Sequence, residues 1–157
     1  MEQTTEQVTI ERELEIAASP ETVWSFLVDP EKAVRWMGIS ARLDARPGGK
    51  YRCSVLPGHV ASGEFVEVDA PHRLVFTWGW EQGHDEPNGV PPGSSTIEIE
   101  LVPRGDGTLL RFTHRDLPDG ASAESHGHGW DHYLGRLAAA AGGADPGPDP
   151  WLEQDPS

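Results

Sequence analysis

The sequence predicts an α+β domain in which a curved antiparallel β-sheet wraps around one long C-terminal α-helix. Between residues 8 and 116, short runs of alternating apolar and polar side chains are separated by turn sequences rich in Gly and Pro, which is typical of hairpin-linked strands. Near the C-terminus, Trp130, Tyr133, Leu134 and Leu137 recur at three- and four-residue spacing and therefore line one face of a helix. That apolar face needs partners, and the strands upstream supply them.

The first strand is predicted at residues 8–16, where Val8, Ile10, Leu14 and Ile16 share one side and Thr and Glu side chains occupy the other. Arg12 falls on the apolar side and is the one exception. Its long aliphatic stem can lie along apolar surface while its charge stays in water. The pattern therefore still predicts a half-buried strand.

Two short helices are predicted to follow. Ser19-Pro20-Glu21 combines a helix N-cap, a proline at the first helical position and an acidic first turn. Asp29-Pro30-Glu31 repeats this start signal, so the second helix is expected to carry Ala33, Val34, Trp36 and Met37 before it stops at Gly38.

Six further strands are predicted at residues 41–46, 50–56, 60–69, 72–80, 96–102 and 108–116. The strand at 72–80 places Leu74, Phe76, Trp78 and Trp80 on one face, which predicts a wide apolar wall. Residues 81–95 are rich in Gly, Pro and acidic side chains and are predicted to form a mobile loop.

The long helix is predicted at residues 121–141, with Asp119 as its N-cap and Gly142-Gly143 as its stop. The sequence then becomes rich in Pro, Gly and acidic residues, which predicts a disordered tail. The chain therefore divides into one domain, residues 1–141, and a tail, residues 142–157.

The composition narrows the class of protein. The formal net charge of −14 argues against nucleic acid or an anionic membrane as a partner, because either would repel such a surface. A single cysteine, Cys53, excludes an internal disulfide and a multi-cysteine metal site. We see no targeting segment at the N-terminus and no apolar run near the roughly 20 residues that cross a bilayer. These features predict a soluble cytoplasmic protein.

An ordered set of motifs resembles a known family. The set comprises Ile10 to Ile16, Ser19 to Trp24, Trp36, Pro47-Gly48-Gly49, Gly63-Glu64-Phe65 to Ala70-Pro71, Leu74 to Trp78, Thr113-His114, and Gly129-Trp130 with Leu134 and Leu137. Together these resemble the SRPBCC or START-like superfamily, and within it the branch named for the C-terminal domain of the activator of the Hsp90 ATPase. The resemblance covers residues 8–141 and implies a helix-grip fold with a hydrophobic cavity between sheet and helix.

The resemblance places several aromatic side chains on elements that face this cavity. They either fill the core or line a pocket for an apolar or aromatic ligand. Tyr51, Cys53, His114 and Tyr133 are the polar groups able to converge there. The candidate ligand-binding residues are Trp36, Tyr51, Cys53, Phe76, Trp78, Trp80, Phe112, His114, Trp130, Tyr133 and Leu134.

For three polar candidates, a functional role is weighed against a structural one. His114 is either a proton-transferring group in the cavity or a structural residue bonded to nearby backbone or to Asp116. Cys53 reads as a buried apolar filler, because no particular cationic neighbour is indicated that would activate it. His128 and His132, four residues apart beside Asp131, have acceptable metal-ligand spacing but lack an evident third ligand. We therefore predict no metal and no cofactor.

Three functions follow as hypotheses. The first is a binding protein that holds a small hydrophobic molecule, such as a lipid or an aromatic polyketide, beneath a gate formed by residues 81–95. The second is a cavity enzyme of the aromatase/cyclase, isomerase or hydrolase type, in which His114 or Tyr133 moves a proton; no catalytic constellation is visible. The third, a chaperone-linked or stress-response interaction protein, rests on the family name. Some similar domains pair through sheet edges or the C-terminal helix, which leaves a homodimer open.

Overall fold

The computed structural model describes residues 8–81, 90–117, 120–144, 146–147 and 149. Seven antiparallel strands in this part of the chain form one sheet, in the order β1-β7-β6-β5-β4-β3-β2. The strands are β1 Val8–Ile16, β2 Ser40–Leu43, β3 Lys50–Leu56, β4 His59–Asp69, β5 Arg73–Trp78, β6 Ser95–Arg104 and β7 Gly107–Leu117, and the helices are α1 Pro20–Val28, α2 Pro30–Ala33 and α3 Gly120–Ala141. The predicted α+β fold, with one long C-terminal helix held by the sheet, is confirmed.

The core lies between the sheet and α3. The helix packs on β1 and β7, and α1 packs on β6, β7 and α3. Ile97, Leu110 and Leu137 are fully buried at this contact. The period-2 and 3.6 patterns in the sequence therefore mark the faces that meet in the interior.

Arg12, the exception in the first strand, joins the sheet to the helix. Its Nε donates to Asp131 Oδ1 of α3 at 2.6 Å, and both side chains remain partly exposed. Gly127 leaves room for this pair, because a Cβ at that position would lie 3.0 Å from Arg12 Nη2. The charged group of Arg12, which interrupts the apolar pattern, thus pairs with a carboxylate and is not solvated by water alone.

Both short helices begin where their start signals predict. The Ser19 hydroxyl accepts a hydrogen bond from the Thr22 amide, and the Asp29 carboxylate accepts one from the Glu31 amide. These side chains satisfy amides that have no partner within their own helix.

The extent predicted for the second helix is wrong. Helix α2 ends at Ala33, and the next residues form a tight turn in which the amides of Trp36 and Met37 both donate to the Ala33 carbonyl. The turn lets the indole N–H of Trp36 donate to the Phe26 carbonyl at 2.8 Å. Gly38 then adopts φ +90°, where an added Cβ would lie 2.7 Å from the Ser54 carbonyl oxygen. Tertiary contacts therefore override the helical pattern at 34–37.

The C-terminal end of α3 is followed by a segment that returns to the helix. Gly143 adopts φ +95°, as expected for a glycine that ends a helix. Of the predicted tail, residues 142–144, 146–147 and 149 are described, and Asp149 is buried. Its carboxylate lies 2.8 Å from His132 Nε2 of α3. The predicted N-cap Asp119 and residues 150–157 lie outside the described residues, so the division of the chain at residue 141 stays a prediction.

Candidate functional site

An apolar space lies between the sheet, α3 and the segment that runs from α1 to β2. Its free volume is about 20 Å³. Segment 27–43 forms one wall, β3 and β5–β7 form the second, and α3 forms the third. The lining residues are Leu27, Ala33, Trp36, Met37, Ala41, Leu43, Tyr51, Cys53, Leu74, Phe76, Ile99, Phe112, Trp130 and Leu134.

This interior space is nearly filled by its own side chains. An internal space of about 10–15 Å³ holds one water molecule, and pockets for drug-sized ligands measure roughly 300–1,000 Å³. The cavity that the family resemblance implies is therefore closed in this structure. A ligand enters only if the walls separate.

Tyr51 supplies a hydroxyl to the interior space. Its ring stacks on Phe76 with centroids 4.3 Å apart and an interplanar angle of 21°. Burial, and to a smaller extent the Cys53 thiol, raise the pKa of the Tyr51 hydroxyl well above its ordinary value. The hydroxyl stays protonated at neutral pH and is suited to donate a hydrogen bond to a neutral acceptor.

Cys53 is a buried thiol on the same wall. Burial raises the pKa of Cys53 to about 12. Its Sγ lies 4.0 Å from the Met37 carbonyl oxygen. A thiol with this pKa carries almost no thiolate at neutral pH, so it packs as a small apolar group.

His114 belongs to a closed hydrogen-bond chain beside the interior space. The Trp130 indole donates to His114 Nδ1 at 3.0 Å, and the Ser95 hydroxyl, 2.8 Å from His114 Nε2, donates to the Trp78 carbonyl at 2.8 Å. Since Nδ1 is an acceptor, the neutral ring carries its proton on Nε2 and donates it to Ser95. Burial, with a smaller contribution from His126, lowers the pKa of His114 to about 3.

In this hydrogen-bond chain the protons are donated in the direction opposite to that of a catalytic serine–histidine pair. A histidine that activates a serine must accept the hydroxyl proton, whereas the Ser95 hydroxyl donates to a backbone carbonyl and accepts from His114. Both nitrogens of His114 are occupied and the ring is neutral. The geometry therefore matches the structural reading of His114, with Ser95 and Trp130 as partners in place of Asp116.

Trp78 and Trp80 lie behind the lining of the interior space. Trp78 is buried against Trp130, with ring centroids 5.1 Å apart, and Trp80 is half-buried and donates to His126 Nε2 at 3.0 Å. Tyr133 is also buried outside the lining, and burial, followed by Asp149, raises the pKa of its hydroxyl. A phenol with a raised pKa is a poor general base near neutral pH.

A larger groove lies outside, at the C-terminal end of α3. It has a volume of about 590 Å³. Met37 lines both this outer groove and the interior space, so this residue lies where the two approach each other. The outer groove is lined by Val34, Arg35, Met37, Gly38, Arg136, Ala140, Gly143, Ala144, Pro146, Gly147 and Asp149.

Arg136 holds the two sides of the outer groove together. Its guanidinium donates to the carbonyls of Arg35 and Trp36 on one side, at 3.2 and 3.3 Å. On the other side it donates to the carbonyls of Pro146 and Gly147, at 3.5 and 2.9 Å. One half-buried cation thus fixes the turn after α2 to the segment after α3.

The structure brings together seven of the eleven predicted site residues. Trp36, Tyr51, Cys53, Phe76, Phe112, Trp130 and Leu134 line the interior space, whereas Trp78, Trp80, His114 and Tyr133 do not. Sequence reasoning did not select Met37, and only the tertiary structure shows its position between two spaces. It also omitted Leu74 and Ile99 from the site, although their inward alternation was visible.

The histidines considered as metal ligands lie in different surroundings. His128 is exposed, while His132 contacts Asp149. Among the described residues, no group of three or more His, Cys, Asp or Glu side chains has the arrangement of a metal site.

Comparison with known proteins identifies the family. The family described as activator of Hsp90 ATPase homolog 1-like protein matches residues 17–142. The chain belongs to this family. No curated protein matches it. Within the described residues of this family member, we find no helix that is long and apolar enough to cross a membrane.

Solved structures agree with the assignment. An AHSA1-like protein from Rhizobium etli is 44% identical, with a TM-score of 0.75 over 100% of this chain and 96% of that one. CalU16 from Micromonospora echinospora is 31% identical, with a TM-score of 0.73 over 95% and 76% of the two chains. A Plasmodium falciparum protein described as an Hsp90 activator is 25% identical, with a TM-score of 0.68 over 82% and 92%. The family resemblance and the helix-grip fold are confirmed.

Proposed function

We propose that this family member binds a small apolar or aromatic molecule in the interior space between the sheet and α3. The observation that carries the proposal is the lining: of its fourteen side chains, only the Tyr51 hydroxyl, the Cys53 thiol and two indole N–H groups are polar. Apolar surroundings with a few polar groups are typical of small-molecule sites.

The wall that has to move to admit a ligand is formed by short secondary-structure elements. Helix α2 has one turn, and β2 is a four-residue edge strand whose single partner among the described strands is β3. Short elements with few backbone hydrogen bonds open at lower free energy than central strands. Displacing segment 33–43 from α3 would break the two hydrogen bonds from Arg136 to the Arg35 and Trp36 carbonyls, and it would enlarge the interior space without breaking the central pairs of the sheet.

The ligand that fits best is aromatic and carries a hydrogen-bond acceptor. Phe76 and Trp130 offer ring faces, and Tyr51 offers a protonated hydroxyl. No other described residue forms a hydrogen bond with that hydroxyl. The Tyr51 hydroxyl is therefore available to donate a hydrogen bond to a carbonyl oxygen of a ligand.

A matched pair of probes tests the proposal. The carbonyl of 2-acetylnaphthalene is absent from 2-ethylnaphthalene, which has nearly the same size. Both are expected to quench tryptophan fluorescence saturably, since Trp36 and Trp130 line the site. Tyr51→Phe should lower the affinity for 2-acetylnaphthalene about fivefold, which corresponds to the loss of one neutral hydrogen bond. The affinity for 2-ethylnaphthalene should not change. Absence of saturable quenching by both probes, and of any apolar mass in native mass spectra of the purified protein, would overturn the proposal.

A chaperone-linked role is a second candidate, favoured by one comparison. The Plasmodium falciparum relative is described as an Hsp90 activator. If this chain shares that role, it should bind purified Hsp90 and raise its ATPase rate. Absence of both effects at micromolar concentrations would eliminate this candidate, and neither result bears on ligand binding.

The enzyme hypothesis receives less support from the side chains it named. His114 has both nitrogens occupied and a pKa of about 3, and Tyr133 has a raised pKa and lies outside the lining. Neither group is poised to exchange a proton near pH 7. We therefore do not extend the proposal to catalysis by these residues.

A further inference from the structure

The outer groove and the interior space share one lining residue. Met37 is buried and lines both. Methionine is unbranched and has three rotatable side-chain bonds, so it changes rotamer at low cost compared with a β-branched or aromatic residue. We expect a rotation of this side chain to join the two spaces.

The outer groove differs in charge from the rest of the protein. The chain has a net charge of −14, yet the groove is lined by two arginines and one carboxylate. That carboxylate, Asp149, already contacts His132 at 2.8 Å and Arg136 at 4.0 Å. Arg35 is exposed, its guanidinium carbon lies 6.0 Å from the centroid of the Phe26 ring, and it makes no ion pair with any residue that the structure describes. The groove therefore offers uncompensated positive charge to an anion.

The rest of the groove wall is apolar or backbone. Val34, Ala140, Ala144 and Pro146 contribute small apolar surfaces. An apolar chain therefore has apolar surfaces to contact within this groove. This succession of charge, apolar wall and apolar interior matches an amphiphile better than a compact polar ligand.

We propose that the outer groove is the mouth of the interior site and selects amphiphilic acids. The apolar part of the ligand enters past Met37, and its carboxylate stays in the groove beside Arg35 and Arg136. The charge of Arg136 contributes to attraction, while its hydrogen bonds keep the two sides of the groove in place. This inference rests on the proposed function, because it assumes that the interior space receives a ligand.

The test compares two probes with the same alkyl chain, decanoate and decan-1-ol, by tryptophan fluorescence below the micelle concentration of decanoate. The wild-type protein should bind decanoate about threefold tighter, the size expected for one solvent-exposed ion pair. The preference should shrink in 0.5 M NaCl, because salt screens exposed charges. Decan-1-ol affinity should not depend on salt in this way.

Two charge reversals provide the variant and its control. Arg35→Glu should lower the affinity for decanoate about tenfold and leave the affinity for decan-1-ol within twofold of the wild-type value. Arg46→Glu makes the same change in net charge at an exposed residue outside the groove, paired with Asp44. It should leave both affinities within twofold. Both changes are at exposed positions, so the fold should persist.

The outcomes separate this inference from the proposed function. If decan-1-ol binds but decanoate is no tighter, or if Arg46→Glu weakens decanoate as much as Arg35→Glu does, the mouth and its acid selectivity are refuted while interior binding stands. If neither these probes nor the naphthalenes bind, both proposals are refuted. Tight decanoate binding that only Arg35→Glu weakens supports both.

Discussion

The closed hydrogen-bond chain around His114 makes a quantitative prediction about stability and pH. The pKa of His114 is about 3 in the folded protein, against about 6.5 in an unfolded chain. Between these values the unfolded state binds more protons than the native state, so protonation favours unfolding. The contribution of His114 to stability is full above pH 6.5 and falls as the pH decreases toward 3.

The size of the effect follows from the same two pKa values. Lowering the pH from 7 to 5 nearly saturates the unfolded histidine with protons and leaves the folded one neutral. At about 1.4 kcal/mol per pH unit, the loss attributable to His114 is about 2 kcal/mol. That is a large share of the roughly 5–15 kcal/mol that holds a domain folded.

The assay is urea unfolding at pH 7 and pH 5, followed by tryptophan fluorescence. Other groups titrate in this range, so the informative quantity is the difference between the wild type and His114→Gln. Glutamine has an acceptor for Trp130 and a donor for Ser95 but does not titrate. The wild type should lose about 2 kcal/mol more than the variant between the two pH values.

Equal losses in the two proteins would refute the reasoning. A direct measurement covers the case in which His114→Gln does not fold. The imidazole Cε1 resonance of His114 in the wild type should not titrate between pH 8 and pH 4.5. A midpoint near 6.5 would show that the ring is not held neutral by its surroundings.

Two further predictions concern Gly38 and Cys53. Gly38→Ala should lower the free energy of unfolding by about 1–3 kcal/mol, because its φ is +90° and its Cβ would meet a carbonyl oxygen. The matched change Gly129→Ala, in a helix with open space around the new Cβ, should instead raise the free energy of unfolding by up to about 1 kcal/mol. Urea midpoints that shift in the same direction in the two variants would contradict this prediction. Cys53 should react with iodoacetamide at pH 8 about a thousandfold more slowly than a free thiol, because its pKa is about 12. Labelling within tenfold of free cysteine would show that the thiol is accessible in the folded state.

The sequence predicted the fold because its signals are local. Alternation along β7 and spacing along α3 identify the faces that are buried, and Ser19 and Asp29 mark helix starts that the structure confirms. The error at α2 has a local cause as well. A strong start signal says nothing about length, and the pattern at 34–37 suited both a helix and the turn that Trp36 stabilises through the Phe26 carbonyl.

The site was only partly predictable because its interactions join distant residues. Tyr51, Phe76 and Phe112 were found from alternation, which requires no tertiary information. By contrast, Arg136 donates to a carbonyl 101 residues away in the sequence, at Arg35. The docking of Asp149 on α3 is another such contact, since composition alone suggested a disordered tail.

The loop at residues 81–95 illustrates a different limit. Its proposed gating role depends mainly on residues 82–89, which lie outside the described residues. Val90 is buried, and its carbonyl accepts a hydrogen bond from the Trp80 amide. This contact fixes the end of the loop beside Trp80, and the gating role stays a prediction.

The central claim is that the interior space opens to receive a ligand, and Met37 allows a direct measurement. The chain has two methionines, Met1 and Met37. Protein labelled with ¹³C at the methionine methyl groups is titrated with 2-acetylnaphthalene. Our account predicts that the Met37 resonance shifts and saturates with the same affinity as tryptophan quenching, while Met1 is unaffected. A Met37 resonance unchanged in position and linewidth at saturating probe would contradict binding in the interior.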